Sequence, residues 1–352
     1  IMCSFGTTFT LAFAVTSISL IIPDESWVAA AILSSLWLTV VVLLLFLYAY
    51  RRALSLINPI QQLEIMIKDA DTNMKAWVRW SKRTAPLLEK EVSREGDEGP
   101  KITHDLARLA LFQRYPSWTA SAERAIRYAM SFATRYAEQG DHDVSSAALT
   151  SAVKINVCYV NAKGKTFFDH NILIDNPLAT DSFINNTLEY LRQAVKAGVS
   201  REDEQFIEQT FSTMERLVEV YISIDYCNRD GSKEHAGLAA AYLSDAVESI
   251  IPHNMADVLM EGTRLIGRAS LVLLSYGDPT SAKSSVDTIS VLASTGTVND
   301  KYRPVTLVAM EKLSSLTFSL FRSSRFDITF PAKYIRDSVT MVSKLFLNVP
   351  DT

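Results

Sequence analysis

Apolar residues between positions 51 and 352 recur mostly at spacings of three and four, which is the period of an amphipathic α-helix. Stretches that alternate apolar and polar residues, as strands do, are scarce. We therefore predict an all-α protein whose residues 101–352 form a helix bundle or an irregular helical array. One predicted helical face consists of Ile207, Phe211, Met214, Val218 and Ile222.

Helix-terminal residues divide this region into about nine helices joined by short connections. A capping aspartate at Asp181 and a capping box over Ser200–Asp203 each predict a helix start. The stretch Val153–Phe168 leaves an alternative open, a β-hairpin around Asn161–Gly164. Further helices are predicted over residues 116–140, 142–162, 304–321 and 331–347.

Two uncharged segments precede residue 51. Residues 27–50 form a run of about 24 residues without charge, which is long enough as a helix to span a hydrocarbon core of about 30 Å. Residues 3–22 form a second, more polar candidate. Four residues separate the two, so the sequence predicts a transmembrane helical hairpin over residues 1–50.

The first segment carries many hydroxyl groups. At 100° per residue, Gly6, Thr10 and Ser17 share one narrow stripe, which favours close packing against the second span. Two alternatives remain open for this segment: a water-lined pathway that uses the hydroxyls, and a cleaved signal peptide.

Residues on both sides of the second span are typical of a membrane interface. Basic residues begin at Arg51, so the positive-inside rule predicts that the hairpin turn faces outward and the helical domain lies in the cytoplasm. For Trp77 and Trp80, an ordinary core stripe with a solvated basic face is an equally good interpretation. The predicted interface residues are Trp27, Tyr48, Tyr50, Arg51, Arg52, Trp77, Arg79 and Trp80.

The domain organisation follows from these segments. After the hairpin we predict a juxtamembrane amphipathic helix over residues 51–92, kinked near Pro59. A charged linker with two glycines and a proline occupies residues 93–100. The helical domain then fills residues 101–352.

Composition narrows the classes of function. The net charge is −4, and residues 51–352 hold all 35 basic residues against 37 acidic ones, so nucleic-acid binding lacks its basic footprint. The three cysteines and five histidines are scattered without metal-ligand spacing. Gly164-Lys165-Thr166 lacks the preceding glycine of a phosphate loop. We expect no catalytic residues, no metal and no cofactor.

Two segments resemble a family of uncharacterised bacterial predicted membrane proteins. The first is Phe46-Leu-Tyr48 before Arg51, and the second is Gly262-Thr-Arg-Leu265 followed by Ser275–Ala282. The resemblance implies hydrophobic N-terminal helices, usually about four spans, and a cytosolic C-terminal domain. It implies no known activity.

Together these observations predict a non-enzymatic integral protein of the bacterial inner membrane. We expect it to contact the lipid bilayer and to form an oligomer or a multi-subunit assembly, as a channel or transport component with a cytosolic gating or interaction domain. The alternative is an accessory or scaffold subunit that recruits a soluble partner to a membrane complex.

Overall fold

The computed structural model describes residues 25–92, 108–168, 181–226, 232–276 and 282–322, together with residues 10, 13–14 and 17 and six positions between 333 and 343. The chain divides into two compact units, Ile1–Gln62 and Leu63–Thr352. The predicted linker over residues 93–100 lies outside the described residues, as does most of the predicted helix over residues 331–347.

Long helices form almost all of the described chain, which confirms the all-α prediction. Helical residues 108–114 and the short turn Pro116–Thr119 precede the third long helix. The helices are α1 (Glu25–Ile57), α2 (Pro59–Val92), α3 (Ala120–Glu138), α4 (His142–Lys163), α5 (Ser182–Ser200), α6 (Glu204–Ile222), α7 (Glu234–Glu248), α8 (Ala256–Ser275), α9 (Lys283–Val298) and α10 (Arg303–Arg322).

The alternative β-hairpin over Val153–Phe168 does not form. Helix α4 continues to Lys163, and Gly164 ends it with a positive φ of 55°, a backbone conformation that glycine adopts without a steric penalty. Within the described residues, extended pairing is limited to one isolated parallel bridge between Phe167 and Tyr226.

The membrane prediction is wrong for the described helices. None of them is both long enough and apolar enough to cross a membrane, and this finding overturns the localisation predicted from residues 27–50. The prediction rested on the absence of charge, whereas crossing a bilayer requires sustained apolarity. The first predicted span, residues 3–22, lies almost wholly outside the described residues.

Aspartate side chains cap the starts of α4, α5 and α6. The Asp181 carboxylate accepts a hydrogen bond from the Ile184 amide at 3.1 Å, as the sequence predicts. The capping box over Ser200–Asp203 is not the cap observed, because Ser200 is the last residue of α5. Asp203 alone caps α6 by accepting from the Phe206 amide at 3.1 Å.

The core of the unit Leu63–Thr352 lies among helices that are consecutive or nearly so in the chain. Helix α3 packs on α4, α4 packs on α6, α6 packs on α7 and α8, and α8, α9 and α10 pack on one another. All five residues of the face predicted for α6 are buried. Helix α2 adds Leu63, Ala70 and Met74 to this core.

Candidate functional site

A groove runs between α2 and α4. It exists because α2 turns Leu63, Ala70 and Met74 toward the core and leaves its charged residues beside the outer face of α4. The groove has a volume of about 510 Å³ and is lined by Glu64, Ile67, Lys68, Asp71, Lys75, Lys154, Val157 and Cys158.

The Cys158 thiol is the one group in this groove that resembles a nucleophile. Its burial raises its pKa, the nearby Asp71 carboxylate raises it further, and Lys75 opposes them only in part, so that the pKa reaches about 11. Asp71 is held by Lys75 at 2.6 Å. Because only the thiolate attacks, Cys158 is a poor nucleophile at neutral pH.

The charges in the groove favour anionic groups. Lys68, Lys75 and Lys154 outnumber Glu64 and Asp71 by one. Ile67, Val157 and Cys158 supply apolar contact area beside these charges. The groove therefore combines an excess of one positive charge with an apolar lining.

A second cluster lies where α4 ends and α5 begins. The buried Asp181 carboxylate accepts hydrogen bonds from the Tyr159 hydroxyl at 2.9 and 3.1 Å and forms an ion pair with Lys163. Burial favours a raised Asp181 pKa, but the Lys163 ammonium group, together with His235 and the Ile184 amide, outweighs it and the pKa is lowered. Burial, followed by the Asp181 charge, raises the pKa of Tyr159 well above its usual value.

His235 lies beside this buried cluster. Its Nδ1 is 2.7 Å from the Tyr226 hydroxyl, which also accepts a hydrogen bond from the His235 amide at 2.9 Å. Its ring lies edge-on to Phe167, and the Phe167 ring is 4.3 Å from the Lys163 ammonium group. Phe167 and Tyr226 are joined by the β-bridge, so this part of the cluster is a packed junction between chain segments.

The buried cluster has the geometry of a structural junction. Asp181 already accepts from Tyr159, Lys163 and the Ile184 amide, which occupies its oxygens. Sequence reasoning identified Asp181 as a cap but missed the cluster, because Asp181 and His235 come near Tyr159 and Lys163, which lie one turn apart on α4, only through the fold. Among the described residues, no group of three or more histidines, cysteines and carboxylates is arranged to hold a metal ion.

Of the predicted stripe in the first segment, Thr10 and Ser17 are described and Gly6 is not. Thr10 is exposed. The half-buried Ser17 hydroxyl donates a hydrogen bond to the Phe13 carbonyl at 2.8 Å, a contact within its own segment. The assignment of these residues to helix packing or to a pathway stays a prediction.

The predicted interface residues fall into two groups. Tyr48, Tyr50, Arg51 and Arg52 are exposed on α1, and the side chain of Trp27 lies outside the described residues. On α2, Trp77 is half-buried against the core, as in the core-stripe interpretation, while Trp80 and Arg79 are exposed. A third aromatic residue, Tyr115, completes this second group, with its ring centroid 6.1 Å from Trp77 and 5.3 Å from Trp80.

Helix α1 carries an extensive exposed apolar surface, which we call the α1 surface. Its members are 39–67% exposed. Six of the twelve members occupy consecutive positions, 43–48, so the surface extends around most of the helix. They are Leu33, Leu36, Trp37, Val40, Val41, Leu43, Leu44, Leu45, Phe46, Leu47, Tyr48 and Tyr50.

Comparison with known proteins adds little. No family model and no curated protein matches the chain. One similar solved structure comes from the computational design of self-assembling cyclic protein homooligomers. It has 11% sequence identity and a TM-score of 0.37, and the match covers 82% of this chain and 98% of that one. A likeness at this score carries no argument.

Proposed function

We propose that the protein is a non-enzymatic assembly protein whose copies associate through the α1 surface. The observation that carries this proposal is the continuous exposure of large apolar side chains along α1. Water in contact with such a surface is unfavourable, and contiguous apolar patches of this kind mark sites of association.

The α1 surface is larger than the apolar patches that monomeric proteins usually expose. Its twelve large side chains, each about half exposed, offer roughly 900 Å² of apolar area around the helix if a fully exposed side chain presents about 150 Å². The largest apolar patch on a typical monomer measures roughly 300–600 Å².

A second copy of this chain is the occupant that fits best. Positions 26–50 carry no charge, so a matching partner must itself be apolar and uncharged. Among the described helices α1 presents such a surface, whereas exposed large apolar side chains on α2 and α10 are isolated, as at Ile65 and Leu307. Two identical α1 surfaces complement each other in chemistry.

The helices of the second unit then act as the interaction domain of the assembly. Their groove between α2 and α4 combines lysines with apolar side chains, which suits an acidic partner segment. Cys158, with its raised pKa, contributes packing there rather than chemistry.

The proposal is tested by removing the apolar character of α1. Leu36→Gln, Leu43→Gln and Leu47→Gln in one chain are expected to weaken association by roughly a thousandfold, because burying a leucine contributes about 1.5–3 kcal/mol. The measurement is the molar mass of the 352-residue chain as a function of concentration by sedimentation equilibrium.

A matched control carries Val291→Gln, Leu307→Gln and Phe318→Gln, which remove exposed apolar side chains from α9 and α10. This control should associate like the unmodified chain. A monomeric unmodified chain would refute the proposal, whether the chain remains free in solution or floats with phosphatidylcholine vesicles.

A further inference from the structure

The faces of α1 are not equivalent. Leu38, Val42 and Ala49 are half-buried, and at 100° per residue they share one side of the helix. The opposite side carries six exposed residues, which we call the α1 stripe. They are Leu33, Leu36, Val40, Leu43, Leu47 and Tyr50.

The spacing of the α1 stripe matches that of paired helices. Its positions alternate between steps of three and four residues, giving a mean repeat of 3.5. Apolar residues at this repeat keep one seam facing a second helix along its whole length. The stripe is therefore the part of the α1 surface best placed to contact one other copy.

Charge decides the orientation of the two copies. Glu25 begins α1 and Arg51 lies near its end, with no charge between them. In a parallel pair, Glu25 would lie level with Glu25 and Arg51 with Arg51, and like charges repel. In an antiparallel pair that is symmetric about residue 38, each Glu25 lies level with the other copy's Arg51.

The charge pair also selects one antiparallel alignment. When each residue lies level with the one whose number adds with it to 76, Leu33 lies level with Leu43 and Leu36 with Val40. A shift by one heptad, so that the numbers add to 83, places Glu25 level with Asn58 and removes the charge pair.

We infer that two copies of this chain pair through antiparallel α1 helices, with Leu33 of one copy level with Leu43 of the other. This inference rests on the proposed function, since it specifies the geometry of the same contact. Opposed helix dipoles, which attract side by side, add to the preference for this orientation.

Cysteine crosslinking of the full chain tests the orientation. Cys3, Cys158 and Cys227 are first replaced by serine, and Leu33→Cys and Leu43→Cys copies with different tags are produced together. The expected result is a disulfide between the two kinds of copy. Each variant alone should crosslink at least about tenfold more slowly, since its two cysteines are about 15 Å apart along the axis and a disulfide needs Cα atoms within about 7 Å.

A charge exchange provides a second measurement. Glu25→Lys or Arg51→Glu alone should weaken the dimer severalfold, and the two together in one chain should restore it, because an antiparallel pair then regains both attractions. In a parallel pair the combined variant would restore nothing.

The outcomes separate the inference from the proposed function. A monomeric chain contradicts both. A dimer that crosslinks with Leu33→Cys alone, or that crosslinks in none of these variants, overturns the antiparallel alignment and leaves association through α1 in place. Circular dichroism of each variant confirms that its helices have formed.

Discussion

At the scale of single residues, Asp181 combines three tasks. It caps α5 through the Ile184 amide, accepts a hydrogen bond from Tyr159, and pairs with Lys163. Burying a carboxylate is unfavourable, and the lowered pKa of Asp181 indicates that Lys163, His235 and the Ile184 amide together more than compensate for the lost hydration. The cluster therefore fixes the end of α4 against the start of α5.

Replacing Asp181 by asparagine should show how much the ion pair with Lys163 contributes to the free energy of unfolding. Asparagine caps a helix as well as aspartate does, but Lys163 would lose its carboxylate partner in a buried site. We expect the free energy of unfolding to fall by about 3 kcal/mol at neutral pH. Chemical denaturation of both proteins provides the measurement.

The matched control is Asp203→Asn, which changes the cap of the next helix in the same way. The titratable side chain nearest to it in an ion-pair geometry is His142, at 3.8 Å, and such a long, partly exposed contact contributes little, so the expected loss is under about 1 kcal/mol. Equal losses in the two variants would contradict a specific role for Lys163.

The difference in unfolding free energy between the unmodified chain and Asp181→Asn changes with pH in a defined direction. The folded-state pKa of Asp181 lies below its ordinary value of 3.8. Its stabilisation is therefore fully present above pH 3.8 and is lost as the pH falls through the lower folded-state pKa. The gap between the unmodified chain and Asp181→Asn should shrink in that acidic range.

At the scale of the helices, the sequence predicts an end well where one residue marks it. The ends of α4 match the predicted helix over residues 142–162 almost to the residue, because Asp141 caps its start and Gly164 ends it. The start of α6 differs, since Ser200 and Asp203 both suit a cap and only packing selects between them. Periodicity along the sequence does not predict which helices contact each other, such as the approach of α8 to α7.

Gly262 lies where α8 approaches α7. A Cβ atom added there would lie 2.7 and 2.9 Å from the methyl groups of Val247 and 3.2 Å from the Phe211 ring. Gly262→Ala gains up to about 1 kcal/mol of helix propensity but overpacks the core, and overpacking costs about 1–3 kcal/mol. We expect a net destabilisation of about 1 kcal/mol in thermal or chemical unfolding.

Combining Gly262→Ala with Val247→Ala should relieve the clash. The two changes together should cost at least about 1 kcal/mol less than the sum of the separate losses. Additive losses would show that the contact with Val247 is not what excludes a larger side chain at Gly262.

At the scale of the whole molecule, the all-α class could be predicted from the sequence, whereas the localisation predicted from residues 27–50 was wrong. Residues 27–50 differ from the rest of the chain in charge, which is visible in the sequence. Whether such a helix crosses a membrane depends on how sustained its apolarity is, and the described helices do not meet that requirement. The groove and the buried cluster were missed because residues far apart in sequence form them.

Salt dependence separates the two surfaces that could join copies into an assembly. An α1 contact is mainly apolar, with two exposed ion pairs at its ends, each contributing about 0.2–1 kcal/mol. Raising the salt from about 0.1 to about 0.5 M screens such pairs and should weaken the dimer by only about threefold. A contact through the lysines of the α2–α4 groove would weaken much more.

Sedimentation equilibrium at the two salt concentrations provides the measurement, with Lys68→Glu and Lys154→Glu in one chain as the comparison. Because neither lysine lies on α1, this variant should dimerise like the unmodified chain at both concentrations. A loss of dimer in the variant, together with a weakening of tenfold or more by salt in the unmodified chain, would place the contact in the groove. The α1 surface would then need a different occupant, and the assembly would be held together by charge.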